Sequence, residues 1–454
     1  MLVRSGILSL VFALFASRAA ALDLDVNSQD SIKSTAKILA SSVVAFYDDT
    51  LKDDLTPGLF PDPYYWWESG LAFNTLIEYY GLTNDSEYNS RISEALQHQL
   101  GDNDAFMPAN QTKTLGNDDQ SFWGLASLSA YEVQLPAPAS GTWLDFAKNV
   151  FDTQTMRWDT KSCGGGLKWQ IFTFNNGYNY KNSLSNGQLF LLAARLADLT
   201  GNATYAEWAN RIYTWTTDIG LVSDSQHVYD GTDDKQNCTT INRIQWTANH
   251  ATFTEGAALM YNVSNASQNW TDILTGFVNA SSIFTGDDGA IVEVACENNG
   301  KCDTDQRAFK GIVTRSFGRA ARVAPFISDS IHDILVASAK GAANNCESSG
   351  DSVACRLSWS NSSTGTWEQA TTADGNLGET LNALQAVQAL LWPTFDFAVG
   401  MTNGTAGSLN PNATTSGSPS GTSGIIAQHT GAATSLAVSF TFVLAVAFAA
   451  AVSC

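Results

Sequence analysis

Apolar residues recur at three- and four-residue spacing through most of residues 22–395, and this helical period restricts the fold more than any other sequence feature. In segment 31–46, for example, Ile32, Ala36 and Leu39 follow one another along one helical face. Strand signals are few, and Gly- and Asn-rich loops separate the periodic segments. The pattern predicts an all-α domain of about twelve helices, over 31–46, 64–80, 86–100, 118–131, 143–151, 183–199, 205–215, 252–261, 270–284, 306–321, 324–339 and 377–391.

The even number of helices, with loops between them, favours a stack of helical hairpins. Periodicity alone does not separate a closed helical barrel from an open solenoid, because both bury helices against their neighbours. No Pro/Gly-rich linker interrupts 22–395, so we predict a single domain there. Loops that carry aromatic and Asn residues at one end of a barrel are expected to form its site.

The first 21 residues have the pattern of a secretory signal peptide. Arg4 supplies a positive charge, 6–16 is almost entirely apolar, and Ala19 to Ala21 give the small-residue pattern of a cleavage site. We expect cleavage before Leu22. The alternative is a retained membrane anchor, although the apolar run is too short for a bilayer of roughly 30 Å.

The C-terminus has the pattern of a GPI-attachment signal. Segment 432–452 is apolar and uncharged, and a Ser/Thr/Gly-rich stretch precedes it. We predict a glycosylated stalk over 396–421, attachment at Gly421, and a propeptide over 422–454 that is removed on maturation. The alternative is an ordinary C-terminal transmembrane helix, but no basic stop-transfer cluster follows the tail.

Glycosylation signals agree with export. N-x-S/T sequons of the kind found on secreted proteins begin at Asn84, Asn110, Asn202, Asn237, Asn262, Asn265, Asn269, Asn279, Asn361, Asn403 and Asn412. The expected location is extracellular, on the outer leaflet of the plasma membrane through a GPI anchor or in the cell wall.

The net charge of −20 excludes whole classes of partner. A chain this acidic, with no basic patch, is expected to repel nucleic acid and anionic lipid. Its 13 Trp, 13 Tyr and 23 Phe instead suit neutral ligands that stack on aromatic faces, sugars among them, although most of these rings are expected in the core. No zinc spacing is present and the five His are scattered, so the sequence predicts neither a metal site nor a cofactor.

The cysteines indicate three disulfides. Cys454 is lost with the propeptide, which leaves an even number in an oxidising compartment. Cys296 with Cys302 and Cys346 with Cys355 are close enough to form local staples, which would leave Cys163 to Cys238. Six cysteines allow fifteen connectivities, so spacing does not decide the pairing.

Segment 116–124, GNDDQSFWG, holds the best candidate for chemistry. Retaining glycoside hydrolysis needs two carboxyl groups roughly 5–5.5 Å apart, a spacing that adjacent Asp side chains can reach. Two close carboxyls resist ionising together, so one can stay an anionic nucleophile while the other remains a protonated acid. The alternative is a helix N-cap and first turn, and Asp-Asp pairs recur at 48, 53, 233 and 287.

Several blocks resemble glycoside hydrolase family 76, the endo-1,6-α-mannanase family, in its fungal cell-wall members. The central one reads CGGGLKWQ over 163–170 and NNGYNYKNSLSNG over 175–187. Segment 116–124 is similar to the family's catalytic Asp-Asp segment. Further similar blocks are WWESG at 66–70, FKGIVTR at 309–315 and Gly378-Glu379, so the resemblance spans about 22–395.

The resemblance implies an (α/α)6 barrel with the acidic pair in a central groove. It implies that Asp118 is the nucleophile and Asp119 the general acid/base. It further implies a wall role, in which the mannose-containing glycan of GPI proteins is trimmed or transferred. Expected partners are α-mannoside glycans, GPI-anchor glycans and wall glucan as an acceptor, and we expect a monomer.

One block departs from the family pattern. WTANHA at 246–251 has Ala248 and Ala251 where the family usually has Tyr and Gly, so we expect a reshaped subsite. The candidate sugar-contact residues are the aromatic platforms and the polar side chains of the central and departing blocks: Trp66, Trp67, Trp123, Tyr180, Lys181, Asn182, Trp246 and Asn249.

The leading functional hypothesis is therefore a retaining endo-α-1,6-mannosidase or mannosyl transglycosylase. Hydrolysis and transfer share the glycosyl-enzyme intermediate and differ only in the acceptor. We favour transfer slightly, because the anchor would hold the enzyme beside both wall polymers. The competing hypothesis is a non-catalytic glycan-binding wall protein, which the altered 246–251 segment favours.

Overall fold

A computed structural model describes residues 20–51, 56–349, 352–359 and 376–396, all within one compact unit over 1–406. The predicted signal peptide up to residue 19, nearly all of the predicted stalk, the propeptide and Gly421 lie outside the described residues. Within the described part of the chain, we find no helix that combines the length and the apolar character needed to cross a bilayer.

Twelve α-helices, one for each predicted periodic segment, form most of the described structure and confirm the all-α prediction. The even-numbered helices are α2 Trp66–Thr83, α4 Asn117–Glu132, α6 Ser183–Thr200, α8 Thr247–Val263, α10 Phe309–Val323 and α12 Leu377–Ala389. The odd-numbered helices are α1 Gln29–Leu51, α3 Asn89–His98, α5 Trp143–Met156, α7 Ala203–Asp218, α9 Gln268–Ala280 and α11 Ser328–Asn344.

The even-numbered helices form a closed inner ring. Each packs on the next, α2 on α4 and so on round to α12, and α12 packs back on α2. The odd-numbered helices lie outside this ring, which makes the fold an (α/α)6 barrel. Burial follows the two layers: residues 247–260 of the inner α8 are all buried, whereas the outer α9 buries one stripe that includes Trp270, Leu274 and Phe277.

Two small antiparallel sheets complete the described structure. One joins β2 Tyr180–Asn182 to β3 Gly231–Asp233 and β3 to β4 Ile241–Asn242. The other has the order β1 Ala20–Ala21, β5 Cys346–Ser349, β6 Ser352–Cys355. Strands of two to four residues are too short to show an alternating pattern, which explains why the sequence did not predict them.

Three disulfides lie among the described residues, and they join the pairs considered from the sequence: Cys163–Cys238, Cys296–Cys302 and Cys346–Cys355. The first closes a separation of 75 residues and ties the loop before β2 to the turn between β3 and β4. The other two close separations of 6 and 9 residues.

A buried ion network crosses the barrel interior. Three arginines and three glutamates from five inner helices meet there, all at most 5 % exposed: Arg195, Arg315, Arg319, Glu78, Glu132 and Glu255. Arg319 contacts all three glutamates, with its Nε 2.6 Å from an oxygen of Glu255. Equal numbers of opposite charges satisfy one another, which is the condition for burying them.

Candidate active site

A groove of about 830 Å³ opens where the N-terminal ends of five inner helices converge. Its lining includes the residues that begin or directly precede these helices: Trp66 and Trp67 at α2, Asp118 and Asp119 at α4, Asn182 at α6, Trp246 at α8 and Phe309 at α10. Helix N-terminal ends carry partial positive charge and unpaired N–H groups. The fold therefore places an electropositive backbone around the two adjacent carboxyls.

Hydrogen bonds fix both carboxyls of the acidic pair. Asn182 Nδ2 donates to Asp118 Oδ2 over 2.7 Å, and the Asp119 backbone N–H donates to Asp118 Oδ1 over 3.0 Å. Asp119 Oδ2 accepts from the backbone N–H of Gly116 over 2.6 Å. The pair thus forms the first turn of α4, as the N-cap alternative required, and also lines the groove.

Gly116 leaves room for the two carboxyls to approach. A Cβ atom at this residue would lie 2.4 Å from Asp118 Oδ1 and 3.1 Å from Asp119 Oδ2. These two oxygens are therefore no more than about 5.5 Å apart, which is shorter than the roughly 6.5–9.5 Å separation of inverting glycosidases. A side chain at this position would collide with Asp118 Oδ1, so glycine lets both carboxyls keep these positions.

The two carboxyls differ in their electrostatic environment. Burial raises the pKa of Asp118 to about 6, and the hydrogen bonds from Asn182 and from the Asp119 N–H limit this rise. Burial and then the neighbouring Asp118 charge raise the pKa of Asp119 well above its usual range. Asp118 is consequently the first of the pair to ionise, and Asp119 is the one that keeps its proton.

The central block 163–187 holds the start of α4 in place. The Asn117 N–H donates to the carbonyl of Trp169 over 2.8 Å, and the Trp169 N–H donates to the carbonyl of Tyr180 over 2.6 Å. Gly177, at φ +85°, packs so closely on the Trp169 ring that a Cβ would lie 2.3 Å from it. The ring itself lines the groove and is 37 % exposed.

Trp66 and Trp67, the predicted sugar platforms, line the groove, and a hydrogen bond holds each ring in place. Trp66 Nε1 donates to Gln99 Oε1 over 2.9 Å. Trp67 Nε1 donates to Asp305 Oδ1 over 2.8 Å, and its ring packs on Phe122. Trp66 and Trp67 are only 8 % and 6 % exposed, so these hydrogen bonds and ring contacts leave little of either indole surface open to a ligand.

The start of α8 contributes a second wall of the groove. Trp246 Nε1 donates to Asp230 Oδ1 over 2.9 Å. Asn249 is only 2 % exposed and lines the groove, and its Nδ2 has no hydrogen-bond partner among the described residues. A buried amide donor without a partner is costly, which makes Asn249 a candidate donor to a bound sugar.

Three predicted contact residues lie behind the groove instead of lining it. Trp123 is fully buried and stacks on Trp66, so its predicted role as a sugar platform is wrong. Lys181 is also fully buried, with its ammonium bound to the carbonyls of Ser162 and Gly165. Tyr180 donates its hydroxyl to Asp230 over 2.6 Å. These side chains support the site and are placed away from its surface.

The two residues of segment 246–251 that differ from the family pattern do not lie at the groove surface. Ala248 and Ala251 are both fully buried within the hydrophobic core and do not line the groove. The expectation that they reshape a subsite by direct contact is therefore not supported. Both alanines lie in the core in the first turns of α8, whereas Trp246 and Asn249 line the groove.

Sequence reasoning missed Asp230, Asp305 and Trp169 as groove residues. Asp305 lies in a polar loop that only the fold brings to Trp67, and no local pattern marks it.

The groove lining is acidic. It contains one lysine, Lys113, and five aspartates: Asp62, Asp118, Asp119, Asp230 and Asp305. Among the residues that the structure describes, no group of three or more His, Cys, Asp or Glu is arranged to hold a metal ion.

Comparison with known protein sequences identifies one family. The family model described as glycosyl hydrolase family 76 matches residues 31–401. Mannan endo-1,6-alpha-mannosidase DFG5 of Saccharomyces cerevisiae is 40% identical over 393 residues, which cover 85% of this chain and 84% of that protein. Mannan endo-1,6-alpha-mannosidase DCW1 of Eremothecium gossypii is 40% identical over 387 residues, with 84% and 83% covered.

Comparison with solved structures agrees with this family match. Dfg5 from Chaetomium thermophilum, in complex with glucosamine, is 36% identical and superposes with a TM-score of 0.76 over 82% of this chain and 93% of that one. An inactive variant of an alpha-1,6-mannanase from Salegentibacter sp. HEL1_6, in complex with alpha-1,6-mannotriose, has a TM-score of 0.62 over 79% and 99%. At 21% identity the second likeness supports the fold alone.

Proposed function

Because the chain belongs to glycosyl hydrolase family 76 and is a glycoside hydrolase, we propose that it cleaves α-1,6-mannosidic bonds with retention of configuration, in mannan or in GPI-anchor glycans. The observation that carries this proposal is the Asp118–Asp119 pair, held by named hydrogen bonds in an aromatic-lined groove. The names of the 40% identical relatives support the substrate class.

The first step forms a glycosyl-enzyme ester. A carboxylate oxygen of Asp118 attacks the anomeric carbon while Asp119 gives its proton to the departing glycosidic oxygen. The order of ionisation supports this assignment, because Asp118 is the first to become an anion and Asp119 the last to lose its proton. The upper limit of about 5.5 Å on the separation of their nearest oxygens supports retention, because inverting enzymes hold their carboxyls roughly 6.5–9.5 Å apart.

The second step releases the sugar. Asp119, now an anion, takes the proton of an incoming hydroxyl, whose oxygen attacks the anomeric carbon and frees the Asp118 carboxylate. When the hydroxyl belongs to water, the result is hydrolysis. When it belongs to another sugar, the result is transfer, and wall glucan is the acceptor that we favour.

Substitution of the nucleophile tests the site. Asp118→Asn should lower kcat for an α-1,6-mannan oligosaccharide by at least about a hundredfold, because the amide cannot form the ester. Its thermal midpoint should not fall at pH 7, since a buried carboxylate with a raised pKa is removed. Asp287→Asn, in an exposed Asp-Asp pair, is the matched control. Unchanged turnover in Asp118→Asn would refute the assignment.

Product analysis separates hydrolysis from transfer. The protein is incubated with an α-1,6-mannoside donor and a β-glucan oligosaccharide acceptor, and the products are identified by mass. We expect a product that contains both sugars. Release of free mannosides alone would contradict transfer.

The alternative of a non-catalytic glycan-binding protein depends on the altered 246–251 segment. Ala248 and Ala251 of that segment are buried away from the groove, so no observation of the structure favours this alternative.

We further propose that the mature protein is a secreted monomer, GPI-anchored on the outer leaflet of the plasma membrane. The signal pattern at 1–21 and the attachment pattern around Gly421 support this location. A phospholipase C specific for phosphatidylinositol should release the protein from a membrane fraction. Retention in the membrane after this treatment would favour a C-terminal transmembrane helix instead.

A further inference from the structure

A second cavity lies beside the groove, on the other side of the segment that holds α4. It has a volume of about 500 Å³, and Gln170 lines both cavities. Asn117, directly before the catalytic pair, lines the second cavity and not the groove. A group bound in the second cavity would therefore sit next to the start of α4 without blocking the groove.

The charge of this second cavity is opposite to that of the groove. Its lining includes three cationic side chains, Arg157, Lys161 and Lys168, against two carboxylates, Asp159 and Asp234. Both carboxylates already have ammonium partners: Lys168 contacts Asp234, and the buried Lys181 lies 3.2 Å from Asp159. Two lining cations, Arg157 and Lys161, are left without a carboxylate partner among the described residues. Such a surplus is unexpected in a chain with a net charge of −20.

Arg157 is the less exposed of these two cations. Its Nε donates to Asn117 Oδ1 over 2.9 Å, and its Nη2 donates to Gln120 Oε1. Both acceptors are neutral amides, whereas the buried Arg195, Arg315 and Arg319 all contact glutamates. Burial lowers the pKa of Arg157 to about 10, so it still carries its charge at neutral pH.

The guanidinium of Arg157 also has hydrogen-bond donors left for an anion. An arginine has five N–H donors in a planar fork, and the described contacts use two of them. The remaining donors can bind two oxygens of one anion. The fork is held in place by Asn117 and Gln120, so little freedom would be lost on binding.

We propose that the second cavity binds a phosphoryl group carried by the glycan substrate. A phosphate monoester has a charge of about −1.5 to −2 at pH 7, which matches the two unpaired cations Arg157 and Lys161, whereas a carboxylate would neutralise only one. Gln170 lines both cavities, so the second cavity is adjacent to a sugar bound in the groove, and the proposal requires a substituent of that sugar to pass beside Gln170. That the carrier is a mannoside rests on the proposed function.

Calorimetric titration of the full protein tests the proposal, with mannose, mannose 6-phosphate, glucuronate and inorganic phosphate as probes. We expect mannose 6-phosphate to bind at least about tenfold more tightly than mannose, and the difference to shrink with added salt. Equal affinity for mannose and mannose 6-phosphate would overturn the proposal. So would glucuronate binding as tightly as mannose 6-phosphate, or inorganic phosphate binding as tightly, which would indicate a site for the free ion.

Variants test whether the preference for mannose 6-phosphate arises in the second cavity. Lys161→Gln should remove most of the preference for mannose 6-phosphate, and because Lys161 is exposed this change leaves the fold intact. Arg157→Gln should remove it as well, with a thermal midpoint measured alongside because Arg157 also holds Asn117 and Gln120. Lys340→Gln, an exposed lysine of α11, makes the same charge change and should retain the preference. A preference that survives Lys161→Gln and Arg157→Gln would refute this site.

The two proposals can fail separately. Binding and cleavage of unphosphorylated α-1,6-mannotriose test the proposed function and do not involve the second cavity. If the neutral oligosaccharide is cleaved and the phosphorylated sugar has no advantage, only the phosphoryl site is refuted.

Discussion

The hydrogen bond from Asn182 to Asp118 ties the chemistry of the groove to one residue of the central block. Asn182 has two separate tasks: its Oδ1 caps α6 by accepting from the Ser185 N–H, and its Nδ2 donates to the proposed nucleophile over 2.7 Å. The second contact favours the ionised form of Asp118 and so opposes the effect of burial on its pKa.

The first prediction concerns the acid limb of the pH profile. Asp118 must be ionised to attack, so kcat/KM should fall as the pH drops through about 6, the pKa to which burial raises this carboxyl. Asn182→Ser keeps a helix-capping oxygen but is too short to donate to Asp118. The acid limb should therefore move to higher pH in this variant.

Asn242→Ala is the control for this shift. Asn242 also lines the groove, but it donates to Asp230 and not to the catalytic pair. Its replacement can change kcat/KM and should leave the acid limb in place. An acid limb that does not move in Asn182→Ser would show that Asp118 is not the group that titrates there.

At the scale of single residues, the sequence predicts those site residues that are neighbours along the chain. Asp118 and Asp119 are adjacent and begin a helix, so their proximity needs no tertiary structure. Trp123 shows the limit: its helix is buried on every side, and no sequence period distinguishes a ring that faces the groove from one that faces the core. Asp305 comes from a distant loop, so only the packed barrel brings it to Trp67.

At the scale of elements, the loop before β2 is held by a long-range covalent tie. The Cys163–Cys238 bridge closes 75 residues, and the block that follows Cys163 positions the start of α4 through Trp169. The catalytic helix is therefore placed by a loop and a short sheet as well as by its neighbours in the ring. Such a loop depends on the bridge more than a helix of the inner ring would.

Removal of this bridge should cost more stability than removal of a local one. Cross-links restrict the unfolded chain more when they close longer loops, and for separations of 75 and 9 residues the difference is about 2 kcal/mol. The double variant C163S/C238S should thus unfold at lower urea concentration than C346S/C355S. Equal or reversed losses would show that the stabilisation does not come from restricting the unfolded chain.

At the scale of the whole molecule, helical period predicts all twelve helices but not the closure of the ring. Closure depends on the packing of α12 against α2, which are about 300 residues apart, and no local sequence pattern predicts that contact. The buried ion network is equally hidden in the sequence. Glu255 is the only charged residue of α8, whereas Arg319 shares α10 with Lys310, Arg315 and Arg322, and only the closed barrel brings Glu255 and Arg319 together.

This network makes the stability of the barrel depend on charge balance. Glu255 contacts Arg315 over 3.0 Å and Arg319 over 2.6 Å. Glu255→Gln leaves three buried arginines with two glutamates, and loss of one partner of a buried ion pair costs about 3–5 kcal/mol. We expect a loss of this size in the free energy of unfolding at pH 7, measured in urea. The exposed Glu207→Gln on α7 should have almost no effect.

The same residue predicts how stability changes with pH. Burial opposes ionisation of Glu255, but Arg315 and Arg319 outweigh it and lower the pKa to about 2, below the value of 4.5 for an unperturbed glutamate. A group whose pKa is lower in the folded state stabilises the fold above its unfolded pKa, and this contribution is lost as the pH falls from about 4.5 towards 2. Glu255→Gln has no such group, so its free energy of unfolding should fall less steeply than that of the parent protein between pH 5 and 3, a range set by these two pKa values. Parallel slopes in the two proteins would show that Glu255 takes up its proton at a similar pH when folded and unfolded, and that the arginines do not hold its charge.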